Sequence, residues 1–112
     1  KLSIFRGSWI ADYADAENYL SLFYSKNHSP NGPNYTHFSN GEFDALYEQS
    51  LTIPELMDRT HLYEKMDSII VSNAAIIPLY YDNVIRFSHK HVKGLGSNAL
   101  NLLDLRRVQL LN

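Results

Sequence analysis

Two amphipathic stretches in the middle of the chain constrain its fold most. In the first, apolar side chains recur three and four residues apart at Phe43, Leu46, Tyr47 and Leu51, and in the second at Leu62, Met66, Ile69 and Ile70, with Asn73 on the same side. Apolar residues at this spacing fall on one face of an α-helix. The sequence therefore predicts two helices, each with one apolar face.

A capping sequence precedes each predicted helix. Ser39 and Glu42 form the first Ser/Thr-x-x-Glu box, and Thr52 and Glu55 form the second. In such a box the hydroxyl and the carboxylate satisfy backbone N–H groups at the helix start. We therefore expect Ser39 and Thr52 to be the N-caps, and we expect Glu55 and Arg59 to form an ion pair one helical turn apart.

Shorter elements are predicted before these helices. The apolar run from Leu2 to Phe5 predicts a strand that ends at Gly7-Ser8. Asp15 predicts the N-cap of a helix of about ten residues, and Glu17 in its first turn suits the positive end of the helix dipole. Two prolines, a glycine and three asparagines between positions 25 and 38 predict an irregular loop.

The remainder of the chain predicts short strands. Residues 74–81 are apolar, β-branched and aromatic, and residues 84–88 have a similar texture. Residues 92–96 predict a turn-rich connection, and alternating apolar and polar side chains predict a last strand over 105–111. Together with the helices, this indicates a mixed α/β chain, an α+β fragment of about three helices with short strands.

Composition limits the function classes further. The chain has 112 residues, a net charge of −2, no cysteine and no basic stripe, so we expect neither a nucleic-acid partner nor disulfides. It has no apolar run of about 20 residues, the length of a membrane span. The chain begins at Lys1 and not at Met, and we therefore expect a processed or excised piece of a longer protein.

A cluster of carboxylates and aromatic side chains lies between Trp9 and Asn18. The helix-start interpretation explains Asp15 and Glu17, but it gives Asp12 no role. Asp12 has Trp9 and Tyr13 on its two sides. A carboxylate beside aromatic surface suits an ammonium group, which it binds by a charge-assisted hydrogen bond and cation–π contact. Asp12 is therefore the candidate binding residue.

The sequence gives little support for a metal site or for catalysis. His89 and His91 would fall on one side of a strand, but a zinc site needs at least three protein ligands, so we interpret them as a solvated pair and predict no metal site. The sequence contains no nucleophile elbow and no phosphate-binding glycine loop. We predict no catalytic residues, no cofactor and no enzyme activity.

Several segments resemble those of a known family. Trp9–Asn18 resembles the W-x-A-D-Y-x-D-P-x-N segment of the family 5 extracellular solute-binding proteins, the oligopeptide- and dipeptide-binding components of ABC importers. Asn40–Leu46 resembles the N-x-E-F-D-x-L helix start of this family, and Arg59–Lys65 its R-x-x-L-Y-x-K helix. Ile76–Tyr81 is similar to its A-x-I-P-L-Y strand and Val92–Gly94 to its V-x-G turn. The segments occur in the family's order along the chain.

This resemblance implies the C-terminal part of a two-lobed periplasmic-binding-protein-like fold that closes on its ligand as a clamp. Residues 1–77 would belong to the second lobe, and residues 78–112 would cross the hinge and return to the first lobe. The implied location is the periplasm or cell envelope, with a secreted or lipid-anchored parent protein. The implied partners are a short peptide and the membrane permease of an ABC importer.

The resemblance also implies ligand contacts. Asp12 would hold the peptide's α-ammonium group, and the backbone of Ser8 and Ile10 would pair with the extended peptide like an added strand. Trp9 would line the first side-chain pockets, and Arg6 would face the ligand carboxylate.

Two positions depart from the family's pattern. Ala16 replaces the usual proline at a helix start. Asp82 stands where some oligopeptide binders have a third tyrosine, which would make the peptide-facing surface there more polar.

Two alternatives stay open at this point. The chain could belong to a metal- or metallophore-binding member of the same transport class, using His89, His91 and the acidic cluster. It could also be a self-associating α+β module without a ligand of its own. Unpaired strand edges would then drive dimerisation or strand exchange of the isolated chain.

Overall fold

The helices of the described residues lie before Pro78 and the strands lie after it. The computed structural model describes residues 4–81, 83–98 and 102–111. Its internal contacts divide the chain into two units, between Pro78 and Leu79. Each unit is described by itself below. The mixed α/β content predicted from the sequence is confirmed.

The first unit is built from short helical elements and two longer helices. Helix α1 spans Glu17–Leu20, and two 3₁₀ turns follow at Ser21–Phe23 and Ser25–Asn27. Helix α2 spans Gly41–Ser50 and helix α3 spans Leu56–Ser72. Helix α3 packs against both α2 and α1. Among the described residues, no helix has the length and apolar character that crossing a bilayer requires.

The core of this unit lies between α1, α2 and α3, as the apolar spacing predicts. Phe23, Phe38 and Phe43 meet edge to face, with ring centroids 5.7–6.5 Å apart. This is a favourable arrangement for aromatic rings. The buried apolar side chains are Leu20, Phe23, Phe43, Tyr47, Leu62, Tyr63, Met66 and Ile70. On α3, the predicted face is thus confirmed at Leu62, Met66 and Ile70.

The start of α2 differs by one residue from the predicted capping box. Asn40 is the N-cap, and its side-chain oxygen accepts a hydrogen bond of 3.0 Å from the backbone N–H of Phe43. The prediction of Ser39 as the N-cap is therefore wrong. Asparagine caps a helix about as well as serine does. Ser39 and Asn40 are therefore both suitable N-caps, and Asn40 has this role in the structure.

The start of α3 also departs from its predicted box. Glu55 occupies the N-cap position and makes no capping hydrogen bond with its side chain. Thr52, the predicted cap, instead donates its hydroxyl hydrogen to the carbonyl oxygen of Gln49, at 2.8 Å. Thr52 therefore donates a hydrogen bond at the C-terminal end of α2, where the helix carbonyl groups lack partners within the helix.

Helix α1 is shorter than predicted. It has four residues rather than about ten, and Ala16, not Asp15, occupies the N-cap position. The Asp15 carboxylate nevertheless accepts a hydrogen bond of 2.9 Å from the backbone N–H of Glu17. Asp15 thus performs part of the predicted capping task from one position earlier.

The predicted irregular loop over 25–38 is confirmed apart from one 3₁₀ turn. Asn34 is fully buried at its centre and donates hydrogen bonds of 3.0 Å to the carbonyl oxygens of Tyr24 and Phe38. The backbone passes so close at Gly32 that a Cβ there would lie 2.5 Å from the carbonyl oxygen of Asn27. The loop is therefore ordered by a buried amide rather than by regular structure.

The second unit contains a small antiparallel sheet. Strand β1 spans Val92–Lys93 and strand β2 spans Gln109–Leu110, with Val92 opposite Leu110. The predicted last strand is therefore confirmed in a shorter form, whereas Val92 and Lys93 form a strand where a turn-rich connection was predicted. Gly94 follows β1 at a φ of +75°, a conformation that favours glycine.

Three other predicted strands do not form. Residues 4–7, 74–81 and 84–88 adopt neither helix nor strand, and Leu2 lies outside the described residues. A strand requires a neighbouring strand to complete its hydrogen bonds, and no described residue pairs with these segments as a strand. Many of their apolar side chains are consequently exposed, including Ile77, Tyr81 and Phe87 at 79%, 97% and 94%.

The position of the α2 cap yields a first prediction. We expect Asn40→Ala to lower the free energy of unfolding by about 1 kcal/mol, because it removes the acceptor for the Phe43 N–H. Ser39→Ala is the matched control and should change stability by less than about 0.5 kcal/mol. Urea denaturation followed by circular dichroism measures both, and an equal loss in the two variants would contradict the assignment of the cap.

Candidate functional site

The predicted ligand contacts lie mostly on one exposed, irregular segment. Arg6, Ser8, Trp9, Ile10 and Asp12 all fall between positions 6 and 12, before helix α1, and all are exposed. Asp82, the remaining predicted contact, lies outside the described residues. The segment thus presents an indole ring and a carboxylate to solvent from neighbouring positions.

A buried side chain on α1 holds this segment. Asn18 is 4% exposed, and its Oδ1 accepts a hydrogen bond of 2.8 Å from Trp9 Nε1. The same oxygen accepts a longer hydrogen bond of 3.4 Å from the backbone N–H of Asp12. The two ends of the Trp9–Asp12 stretch are therefore tied to one oxygen atom.

Asp15 is bound to the rest of the first unit. Its carboxylate forms an ion pair of 2.6 Å with Arg59 on α3 and accepts a hydrogen bond of 2.9 Å from the hydroxyl of Tyr63. Both partners of the ion pair are largely buried. Arg59 thus pairs with Asp15 across the fold, and the predicted pair between Arg59 and Glu55 does not form.

These contacts shift the ionisation of Asp15 and Tyr63. Burial alone would raise the pKa of Asp15, but the Glu17 N–H, the Tyr63 hydroxyl and the Arg59 guanidinium together hold that pKa below its usual value. Burial, followed by the hydrogen bond to Asp15, raises the pKa of Tyr63 to about 12. Asp15 therefore remains charged and satisfied by protein groups at neutral pH.

Glu17 is also satisfied from within the protein. Its two carboxylate oxygens accept hydrogen bonds from the hydroxyls of Tyr13 and Tyr47. The hydrogen bond to Glu17 is the largest cause that raises the pKa of Tyr13. For Tyr47, burial raises the pKa most and the bond to Glu17 adds to it. Glu17 thereby links the segment before α1 to helix α2.

Asp12 differs from the other two acids of the cluster. Its side chain is exposed, and within the described residues its carboxylate makes no hydrogen bond or ion pair. Asp15 and Glu17 are committed to structural contacts. Of the three acids, Asp12 therefore has the carboxylate that remains available to a ligand, three residues after the partly exposed Trp9.

The histidines form two stacked pairs but no recognisable metal centre. The rings of His89 and His91 have centroids 5.2 Å apart, and those of His28 and His37 are 4.9 Å apart. Across residues 4–81, 83–98 and 102–111, no three or more His, Asp or Glu side chains are grouped to hold a metal ion. Within the described residues, neither histidine pair thus has the third protein ligand that a zinc site needs.

Comparison with known proteins gives several relatives, although no family model matches the chain. The chain is 27% identical to the dipeptide-binding protein DppE of Bacillus subtilis over 95% of its own length and 19% of the relative's. It is 34% identical to the probable deoxycholate-binding periplasmic protein YgiS of Escherichia coli over 80% of its length and 16% of that protein's. It is 32% identical to the oligopeptide-binding protein OppA of Bacillus subtilis, over 80% of the chain and 16% of the relative.

These relatives each cover between 80% and 95% of the chain. The homologues that cover most of this chain are family 5 extracellular solute-binding proteins, and the chain is similar to a segment of those proteins. It spans about a fifth of the length of the curated relatives it matches, 19% of DppE and 16% of OppA. The similarity therefore concerns one segment of longer proteins, and the names of the relatives describe what those proteins bind.

Sequence reasoning missed the role of Asn18 and the partner of Arg59. Asn18 closes the same motif that contains Trp9 and Asp12, which is the signal that could have singled it out. The pair between Arg59 and Asp15 joins residues that are far apart in sequence. Helical spacing detects only partners three or four residues away, so it pointed to Glu55.

The lowered pKa of Asp15 yields a second prediction. A carboxylate whose pKa is lower in the folded state stabilises the fold above its unfolded pKa of about 4, and this stabilisation disappears as the pH falls through the folded pKa. We expect Asp15→Asn to cost about 2 kcal/mol of unfolding free energy at pH 7, because a charged, partly buried contact is lost.

Denaturation of the wild type and of Asp15→Asn at pH 7 and at successively lower pH measures their free energies of unfolding. The difference between the two free energies should shrink below about pH 4. Asp67→Asn, an exposed position on α3, is the control and should show a small difference at every pH. A difference for Asp15→Asn that stays constant down to pH 2 would contradict the assigned ion pair.

Proposed function

We propose that this chain is part of the substrate-binding component of a peptide ABC importer and that Asp12 anchors the free amino end of a short peptide. The observation that carries the proposal is the contrast within the acidic cluster. Asp15 and Glu17 are engaged by Arg59 and by tyrosine hydroxyls. Asp12 is exposed, and its backbone N–H shares the Asn18 oxygen with the indole N–H of Trp9.

An ammonium group fits the chemistry of Asp12 and Trp9. A carboxylate gives it a charge-assisted hydrogen bond, which is about twice as strong as a neutral one. An indole face attracts a cation by about 0.5–2 kcal/mol, depending on how well water is excluded. A peptide has such a group at one end whatever its sequence, so an anchor of this kind suits a binder of many different peptides.

The names of the relatives favour a peptide as the ligand, but they identify no particular peptide. DppE and OppA are named for dipeptides and oligopeptides, whereas YgiS is named as a probable deoxycholate-binding protein. Deoxycholate carries no amine, so similarity alone leaves the class of ligand open. The exposed carboxylate of Asp12 is the feature of this chain that favours a ligand with an amine.

The other predicted contacts would complete the site around this anchor. Trp9 would line a side-chain pocket, and the backbone of Ser8 and Ile10 would add hydrogen bonds to an extended peptide, which accept any side chain. Arg6 would face the ligand carboxylate, and Asp82 would add polarity to the peptide-facing surface. The site binds and does not catalyse, and it requires no cofactor.

The proposal places the chain in a longer, two-lobed protein of the periplasm or cell envelope. Residues 1–77 would belong to the second lobe, and residues 78–112 would cross the hinge and return to the first. The division of contacts between Pro78 and Leu79 supports this assignment. The membrane permease of the importer would be the partner. Dimerisation of the isolated chain stays a prediction that no comparison supports.

A double comparison tests the amine anchor in the longer protein. We expect Asp12→Asn to weaken binding of a free tripeptide by about one to two orders of magnitude, because it removes a charged hydrogen-bond partner. N-acetylation of the tripeptide removes the matching charge from the ligand. The Asp12→Asn variant should therefore bind the acetylated and the free tripeptide almost equally.

Isothermal titration calorimetry of the wild type and the variant with both tripeptides measures the four affinities. Asp67→Asn removes a carboxylate from the exposed surface of α3 and should bind the free tripeptide as the wild type does. If Asp12→Asn leaves the affinity for the free tripeptide unchanged, Asp12 is not the amine anchor. If acetylation weakens the variant as much as the wild type, the amine is bound elsewhere.

A further inference from the structure

Asn18 is a buried polar residue whose side chain serves the candidate site. It lies on α1 at 4% exposure, and its Oδ1 accepts hydrogen bonds from the Trp9 indole and the Asp12 backbone. The chain thus uses a buried carboxamide to hold two residues of an exposed segment. Buried polar groups that are fully satisfied fix a particular arrangement of their partners.

We propose that Asn18 is a positioning residue for ligand recognition, which holds the Trp9 ring and the Asp12 backbone in one arrangement before the ligand binds. The inference rests on the proposed function, since it assigns Asn18 to the amine site formed by Asp12 and Trp9. Asn18 itself is buried and acts through these two residues.

The need for such a residue follows from the local backbone. Residues 6–11 have no helix or strand to restrict them, and an unrestricted segment loses about 1–2 kcal/mol per residue of conformational entropy when a ligand orders it. A contact that orders the segment in advance removes part of this cost from binding. The hydrogen bonds to Asn18 supply this order at both Trp9 and Asp12.

Asn18 is well anchored for this task. Its backbone carbonyl oxygen accepts a hydrogen bond of 2.9 Å from the hydroxyl of Ser21. Leu20, on the same helix, is part of the buried core. Just before Asn18 in the chain, Asp15 is bound to α3 and Glu17 to α2. The core therefore fixes the carboxamide, and the carboxamide fixes the exposed segment.

The chemistry of the amide matters as well as its position. An amide accepts through its oxygen and donates through its nitrogen. The Asn18 side-chain oxygen thus accepts from both Trp9 and Asp12. Leucine, of similar size, would offer none of these bonds, and aspartate would keep the acceptor oxygen.

The test of positioning uses the fluorescence of the 112-residue chain. Trp9 is its only tryptophan, so indole emission and its quenching by acrylamide report on that side chain alone. We expect Asn18→Leu to shift the emission to longer wavelength and to increase quenching about twofold, since Trp9 loses its fixed acceptor. Asn18→Asp keeps an acceptor at that place and should remain close to the wild type.

Tyr19→Phe is the matched control on the same helix. Tyr19 is exposed, and its hydroxyl makes no hydrogen bond among the described residues, so its removal leaves the Asn18 carboxamide in place and Trp9 quenching should stay at the wild-type value. Circular dichroism verifies the fold of each variant, and Asn18→Ala replaces Asn18→Leu if leucine prevents folding. Unchanged quenching in the folded variant without an acceptor, or equal perturbation by Asn18→Asp, would overturn the inference.

Binding by the longer protein separates this inference from the proposed function. We expect Asn18→Leu to weaken binding of the free tripeptide about tenfold and to couple with Asp12→Asn, so that the double variant is weaker by less than the product of the two effects. If Asp12→Asn weakens binding and Asn18→Leu does not, the inference fails and the proposed function stands. If Asp12→Asn has no effect, the proposed function fails, and the fluorescence of Trp9 alone decides whether Asn18 positions that ring.

Discussion

The contact between the Asp15 carboxylate and helix α3 determines where the acidic and aromatic segment lies. Arg59 and Tyr63 approach this carboxylate from α3, at 2.6 and 2.9 Å, and the Glu17 N–H approaches it from α1. The guanidinium carbon of Arg59 also lies 5.8 Å from the ring centre of Tyr63. A largely buried charge must be paired to be tolerated. Once Asp15 is paired in this way, α1 is fixed on the core, and Asn18 is fixed with it.

The three acids of the cluster have different roles because their surroundings differ. Asp15 stabilises the junction with α3, and Glu17 joins Tyr13 to Tyr47 on α2. Asp12 lies on the segment that Asn18 holds, outside the core. The carboxylates of Asp15 and Glu17 are thus satisfied by protein groups, whereas that of Asp12 is exposed. This difference is the physical basis for proposing Asp12 as the ligand-binding residue.

Periodicity in the sequence predicted α2, α3 and the buried face of Leu62, Met66 and Ile70 well, because these elements depend on local spacing. It could not choose between Ser39 and Asn40, since both residues are good helix caps. It overestimated α1 and paired Arg59 with Glu55, because the true partner comes from a distant part of the chain. The strands predicted at 74–81 and 84–88 require partner strands that the described residues do not provide. The motif from Trp9 to Asn18 located the candidate site, but the use of Asn18 became visible only from the contacts of its side chain.

The most direct test of the central claim is a crystal structure of the longer protein with a tripeptide bound. The proposed anchor requires the peptide's terminal nitrogen to lie about 2.7–3.0 Å from a carboxylate oxygen of Asp12, with the Trp9 indole still donating to Asn18. A terminal nitrogen held by another acid, with Asp12 facing solvent, would contradict the assignment of Asp12 as the amine anchor.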